Sequence, residues 1–248
     1  MEHRYILGMR VDATSFQEAT RLILKWAGTG ESRYVCAANV HMVMEAYDSP
    51  AFRKVVNNAD LVVPDGMPLA YGLRLLGMRG QERVCGPELM LHVCEAAASQ
   101  GVPVGFYGGS PDTLQALVKN LSKRFPNLRV AYQYSPPFRP LTAEEDAAVT
   151  KQIAASGARI LFVGLGCPKQ ECWMAEHRGK IPAVMLGVGA AFDFHAGRIR
   201  QAPRWVQNIG MEWFFRLCME PRRLWRRYFK HNPRFLILFA LQLVGKRY

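Results

Sequence analysis

Residues 62–74 read VVPDGMPLAYGLR: an apolar, β-branched run stops at Pro64-Asp65-Gly66, and a helix-favouring stretch with Pro68 in its first turn follows. Strand, short turn and helix form the repeating unit of an α/β fold, and the same succession recurs along the chain. RYVCAAN (33–39), ADLVVPD (59–65), VPVGFYGG (102–109), LRVAYQY (128–134), ARILFVGLG (158–166) and PAVMLGVGAAFDF (182–194) are apolar, β-branched or aromatic, and most end in Gly, Asn or Asp. Between them PELMLHVCEAAASQG, PDTLQALVKNLSKRFP and TAEEDAAVTKQIAASG open with a cap or a first-turn proline and close near Gly or Pro. Continuous apolar strands are covered on both faces, which predicts an α/β fold with a Rossmann-like, mostly parallel sheet flanked by helices. Ligands of such sheets gather beyond the carboxyl ends of the strands. Asn39, Asp65, Gly108, Tyr134, Gly166 and Asp193, all at predicted strand ends, therefore face one crevice.

The chain has 248 residues, half of them hydrophobic, enough for one compact domain or one domain with an appendage. It opens MEHRYILGMRVDATSF, without a basic start and an apolar h-region, and no apolar stretch reaches the ~18 residues of a spanning helix. The expectation is a protein neither exported nor threaded through a bilayer. Cysteines 36, 85, 94, 167, 172 and 218 contain no Cys-x-x-Cys pair and no His at zinc-site spacing. That pattern predicts reduced thiols in a cytosolic interior and no structural metal.

The formal net charge is +12, and it is unevenly placed: from Arg198 onward 12 Lys or Arg face only Glu212 and Glu220. The strand pattern also ends there. Residues 1–197 are predicted as the α/β core, and 198–248 as a basic, aromatic appendage of two or three helices punctuated by Gly210, Pro221 and Pro233.

Several groups are candidates for chemistry. Asp65 before Gly suits a tight turn or helix cap, and equally a catalytic carboxylate at a strand end. GLGCPKQE (164–171) and GVGAAFDFHAG (187–197) lack the full G-x-G-x-x-G fingerprint with its downstream acid, so the nicotinamide signal is weak. Gly108, Gly109, Gly166, Gly187 and Gly189 let backbone N–H groups approach a phosphate, or make tight packing turns. Lys169 and Gln170 fall in a helical first turn directed at the crevice, where an amide can serve sugar hydroxyls. Arg83, just before Gly86-Pro87, pairs with phosphate or with a neighbouring carboxylate. His41, Met42 and Met44 read as packing. In PRRLWRRYFKHNPRF, arginines 222, 223, 226 and 227 alternate with Trp225, Tyr228 and Phe229, a pattern suited to nucleic acid or to an anionic membrane. The apolar FLILFALQLV (235–244) that follows favours the membrane headgroup boundary over nucleic acid. It also suits a C-terminal helix packed on the domain or on another subunit.

Taken together, the landmarks NVHMVMEA (39–46), NADLVVPDG (58–66), ERVCGPELM (82–90), FYGG (106–109), YSPPF (134–138), GLGCPKQE (164–171), GVGAAFD (187–193) and a tail with APRW, EWFFRL and EPRR resemble the WecG/TagA/CpsF family of bacterial glycosyltransferases. The resemblance implies an inverting, metal-independent and cofactor-free enzyme, peripheral on the inner face of the cell membrane. It would move an N-acetylmannosamine-type sugar, or a related hexose or uronic acid, from a UDP donor to a polyprenyl-diphosphate-linked saccharide. Asp65 is then the general base, with Asn39, Arg83 and Gln170 lining the site. Gly108, Gly109, Tyr134, Gly166, Lys169, Gly187, Gly189 and Asp193 hold the donor, and Arg216, Arg223 and Arg226 fold over the diphosphates. The missing Asp-x-Asp motif leaves leaving-group stabilisation to protein cations. Many relatives carry Thr-x-Asn where this chain has Ala37-Ala38-Asn39, so one site hydroxyl is absent. The rival readings are a NAD-type Rossmann oxidoreductase and a basic nucleic-acid-binding module. A homo-oligomer is left open.

Overall fold

A computed structural model describes residues 1–246 and 248. The chain starts with an antiparallel hairpin, β1 (His3–Ile6) and β2 (Met9–Asp12), in which Ile6 pairs with Met9. Its two loop residues, Leu7 and Gly8, have φ of 50° and 81°. Positive φ at both positions matches the twist of the flanking strands. The Asp12 carboxylate accepts from the Val62 amide at 2.7 Å and pairs with Arg10 at 3.0 Å, which fastens the hairpin to the main sheet. No strand is read there from sequence, because four-residue strands joined by Leu-Gly show neither a long alternation nor an Asn-Gly turn.

Among the described residues the main sheet contains β3 (Arg33–Ala38), β4 (Leu61–Pro64), β5 (Val104–Gly108), β6 (Val130–Tyr134), β7 (Ile160–Gly164) and β8 (Val184–Gly187). All its pairings are parallel, in the order β4-β3-β8-β7-β5-β6. The predicted α/β, Rossmann-like architecture is therefore observed. One face carries α1 (Phe16–Thr29), α5 (Gly86–Gln100), α6 (Pro111–Arg124) and the short α9 (Ala191–His195). The other carries α2 (Val40–Asp48), α3 (Pro50–Asn57), α4 (Met67–Leu75), α7 (Ala143–Ala155) and α8 (Lys169–His177). Strand side chains divide between two cores with period two: Leu161, Val163 and Met185 on one side, Ile160, Phe162, Val184 and Leu186 on the other. Both faces are covered by apolar side chains, which is why the strands read as unbroken apolar runs.

Strand order also locates the crevice. The connection after β5 runs through α6 to β6, whereas the connection after β7 runs through α8 to β8 on the opposite side. Neighbouring strands whose crossovers diverge open a gap at their carboxyl ends, here between β5 and β7.

Beyond the core lie α10 (Arg204–Asn208), α11 (Glu212–Met219) and α12 (Pro221–Leu243). Pro233 does not punctuate the tail as its sequence suggests; it sits inside α12. Leu224, Tyr228, His231, Phe235 and Phe239 form one buried stripe at spacings of three and four. Phe235 and Phe239 join the core layer that contains α2 and α4, and Phe239 lies against Gly72. The Gln242 side chain accepts from the Leu7 amide at 2.8 Å and donates to the Tyr5 carbonyl at 2.7 Å, fixing the end of α12 to the hairpin turn. The run 182–194 is likewise not one strand. It turns after Gly187, so Asp193 stands on α9 rather than at a strand end.

Candidate active site

Asp65 is held in place by backbone before any chemistry is considered. Its amide donates to the Ala38 carbonyl at 2.8 Å, continuing the β3–β4 ladder one residue beyond the strand. One carboxylate oxygen accepts from the Gly86 amide at 2.8 Å, at the start of α5, and the other lies 3.4 Å from the Asn39 amide nitrogen. Asn39 in turn caps α2 by accepting from the Met42 amide. Asp65 does not cap the helix that follows it, since Gly66 is the N-cap of α4 with no side-chain bond; its carboxylate serves the first amide of α5 instead. The carboxylate is thus oriented from two sides and presented to a cavity.

That cavity is closed by the tail. Asn39, Asp65 and Arg83 meet Glu212, Arg216 and Arg227 across it. Arg83 donates through Nε to the Asp65 carbonyl and through a terminal nitrogen to Glu212 at 2.6 Å, so of the two partners read for it the structure shows the carboxylate, supplied by α11. Burial opposes its charge, but Asp65 and Glu212 outweigh burial and raise its pKa. This ion pair ties α11 to the loop before α5.

A second, larger cavity of about 910 Å³ opens at the β5/β7 gap. Gly109, Gly166, Lys169, Gly189, Asp193 and the tail's Arg223 line it. Tyr107 and Trp173 add an aromatic wall, stacked with centroids 4.4 Å apart. Asp193 is half-buried; burial raises its pKa despite the opposing pull of Arg223, Arg198 and Arg216. Arg216 lines the Asp65 cavity, its guanidinium 5.5 Å from the Phe194 ring centroid, and its charge acts on the neighbouring Asp193 of the second cavity.

Other sequence candidates stand behind these walls. Gly108 has φ of 126° and packs on Gly164, whose carbonyl a Cβ would approach to 2.6 Å. Gly187 abuts Met174 and Gln170. Gln170 is buried, accepts from the Gly166 amide at 3.1 Å and donates to Glu171 at 2.7 Å, bracing the glycine loops from beneath. Tyr134 stacks on Tyr107. Arg226 lines neither cavity, lying over the Trp225 ring, whereas Arg227 one residue later faces Asp65.

Arg227, Glu212 and Trp173 are site residues that sequence reading does not single out. The helical phase of α12 would have separated Arg227 from Arg226: position 227 lies one turn before the buried His231, and 226 beside the exposed Trp225.

Comparison with known proteins agrees with this geometry. The profile of the Glycosyl transferase WecG/TagA/CpsF family matches residues 4–248. The chain belongs to that family. This WecG/TagA/CpsF member is accordingly a glycosyltransferase, and the oxidoreductase and nucleic-acid readings fall away. It is 29% identical over 217 residues to an N-acetylglucosaminyldiphosphoundecaprenol N-acetyl-beta-D-mannosaminyltransferase of Bacillus spizizenii, covering 87% of this chain and 81% of that protein. It is also 29% identical over 194 residues to a Bacillus subtilis protein of the same name, covering 78% and 73%. Among the described residues no helix is long and apolar enough to cross a membrane.

Proposed function

We propose that the protein transfers an N-acetylmannosamine-type sugar, with inversion and without a catalytic metal, from a UDP donor to a polyprenyl-diphosphate-linked saccharide. The observation that carries the reading is the pair of cavities: one presents the oriented Asp65 carboxylate, with Glu212 engaged by Arg83, and the other is a cradle of glycine loops at the sheet's switch point. In this reading the UDP diphosphate lies along Gly109, Gly166 and Gly189, with Lys169 and Arg223 beside it and the base against the Tyr107–Trp173 wall. The sugar then extends toward Asp65. Its carboxylate takes the proton from the acceptor hydroxyl as that oxygen attacks the anomeric carbon, and the bond to UDP breaks on the opposite face. Arg216, with Arg223 behind it, neutralises charge developing on the departing diphosphate. Arg83 and Asn39 hold the base; Arg83 also holds Glu212, so the tail must be seated for the site to be complete. The relatives' names support the sugar and the polyprenyl-diphosphate acceptor.

The test is Asp65→Asn, measured with UDP-N-acetylmannosamine and a short-chain prenyl-diphosphate N-acetylglucosamine. We expect kcat to fall about 10²-fold or more, the usual worth of a general base, with UDP affinity and Tm unchanged. Near-normal turnover would return Asp65 to a purely conformational role, and loss of activity on chelation restored by Mg²⁺ would remove the arginine-only account.

A further inference from the structure

His41, in the first turn of α2, and His231, on the buried stripe of α12, are separated by 190 positions in sequence but stand with ring centroids 5.2 Å apart. Glu45, one turn after His41, completes the group. Its Oε1 is 3.7 Å from Nδ1 of His41 and 3.7 Å from Nε2 of His231. One donor atom from each residue can be chosen so that all lie within 4.8 Å of one another.

We infer that His41, Glu45 and His231 form a binding site for a zinc-type divalent transition metal that staples α12 to α2.

Two observations support it. First, 3.7 Å is too long for a hydrogen bond, and Nδ1 of His41, the nitrogen nearest Glu45, is buried with no hydrogen-bond partner. Two metal–ligand bonds of about 2.1 Å at a tetrahedral angle hold their donor atoms roughly 3.4 Å apart, so closing on a cation takes a few tenths of an ångström at Glu45 and at most about 1.4 Å between the imidazoles, which side-chain rotation supplies. Second, two imidazoles and one carboxylate are a donor set for zinc-like ions and not for Mg²⁺. Arg227 and Lys230 oppose a cation here, and Asp48, itself paired with Arg234 at 2.6 Å, partly offsets them. Those charges make the site weak and exchangeable. Both imidazoles line the Asp65 cavity, which leaves the fourth position to water.

The consequence is mechanical. Occupation would hold the tail against the helix that Asn39 caps, in the seated position that completes the active site. Sequence spacing gives no hint of it, because the ligands come from distant elements. The inference stands apart from the transfer chemistry, and its test uses no substrate.

The full chain in a Cys218→Ser background, which removes the exposed thiol, is stripped of metal and titrated with Zn²⁺ by calorimetry and with Co²⁺ by visible absorption. Tm is followed in parallel. We expect one equivalent to bind, a tetrahedral-type Co²⁺ spectrum, and a Tm rise of about 5 °C at Zn²⁺ near 100-fold over Kd. Glu45→Gln, a conservative change at a partly exposed position, and His231→Gln should each weaken binding at least tenfold and remove the Tm rise. Absence of binding by the parent protein, or binding that both variants retain unchanged, would overturn the assignment.

Discussion

Glu171 stands in the first turn of α8 with no solvent exposure, one Oε accepting from Gln170 and the other without a partner. Burial raises its pKa to about 7, against the lowering effect of Gln170 and of Cys167. A carboxyl raised in the folded state contributes stability that is complete below its unfolded pKa near 4.5 and is lost as pH rises through about 7. Glu171→Gln removes that dependence. We expect the variant to gain on the parent protein between pH 5 and pH 8, by about 3 kcal/mol at the alkaline end, as read from denaturant titrations across that range. A constant difference between the two curves would place the proton elsewhere. Asp65 is legible in sequence as a strand-end carboxylate because P-D-G marks the turn after a strand, whereas the Gly86 and Asn39 contacts that orient it come from distant positions and are visible only in the fold. Gly108 is the reverse case. It reads as a phosphate glycine or a packing glycine, and its φ of 126° with the Gly164 backbone behind it shows the packing role. Gly108→Ala should cost about 3 kcal/mol or more, seen as a lower Tm, before any effect on nucleotide binding.

At the scale of elements, the strands were legible because both sheet faces are covered, so each is an unbroken apolar run. The hairpin was not, and neither was α9, since GVGAAFDF stays apolar through the turn and hides the change of period. The tail helices show what composition alone misses. Counting arginines groups 222, 223, 226 and 227 together, whereas the phase of α12 sends Arg223 to the glycine-loop cavity, Arg227 to the Asp65 cavity and Arg226 to the surface. We therefore expect alanine substitution to divide them when assayed on a water-soluble acceptor. Arg216→Ala should reduce kcat by about 10²-fold, as loss of a cation at a departing diphosphate does. Arg223→Ala should act mainly through a higher KM for the donor, and Arg226→Ala should leave both parameters within about twofold. Equal losses at 216 and 226 would mean that α12 turns on its axis when substrate is bound.

Across the whole molecule, the appendage has two opposed faces. Its inner stripe, with Phe235 and Phe239, belongs to the core, and the Arg83–Glu212 pair and Gln242 fasten it at both ends. Its outer surface exposes Trp205, Ile209, Phe214, Trp225, Phe229 and Ile237. Isolated exposed apolar residues are ordinary, but rings of this size beside an excess of ten positive charges are the make-up of a membrane-surface helix. Each basic side chain near an anionic surface contributes about 1 kcal/mol, and the bulky outer residues add burial in the headgroup region. We expect the full chain to bind vesicles containing phosphatidylglycerol, to bind phosphatidylcholine vesicles weakly, and to release from the former as salt rises from 0.1 M to about 1 M, where the screening length falls to roughly 3 Å. Truncation after residue 197 tests both faces together, because it removes the charge and also strips the cover from Gly72 and the hairpin turn. Its Tm should fall, since losing a buried Phe alone costs about 3–5 kcal/mol, and vesicle binding should vanish with it. Phe229→Ser with Ile237→Ser separates the two effects. Both side chains are exposed, so this double variant should keep the parent Tm and its turnover on a soluble acceptor while losing most vesicle binding. If it bound vesicles as tightly as the parent, the outer face would have to be assigned to contact with another protein chain.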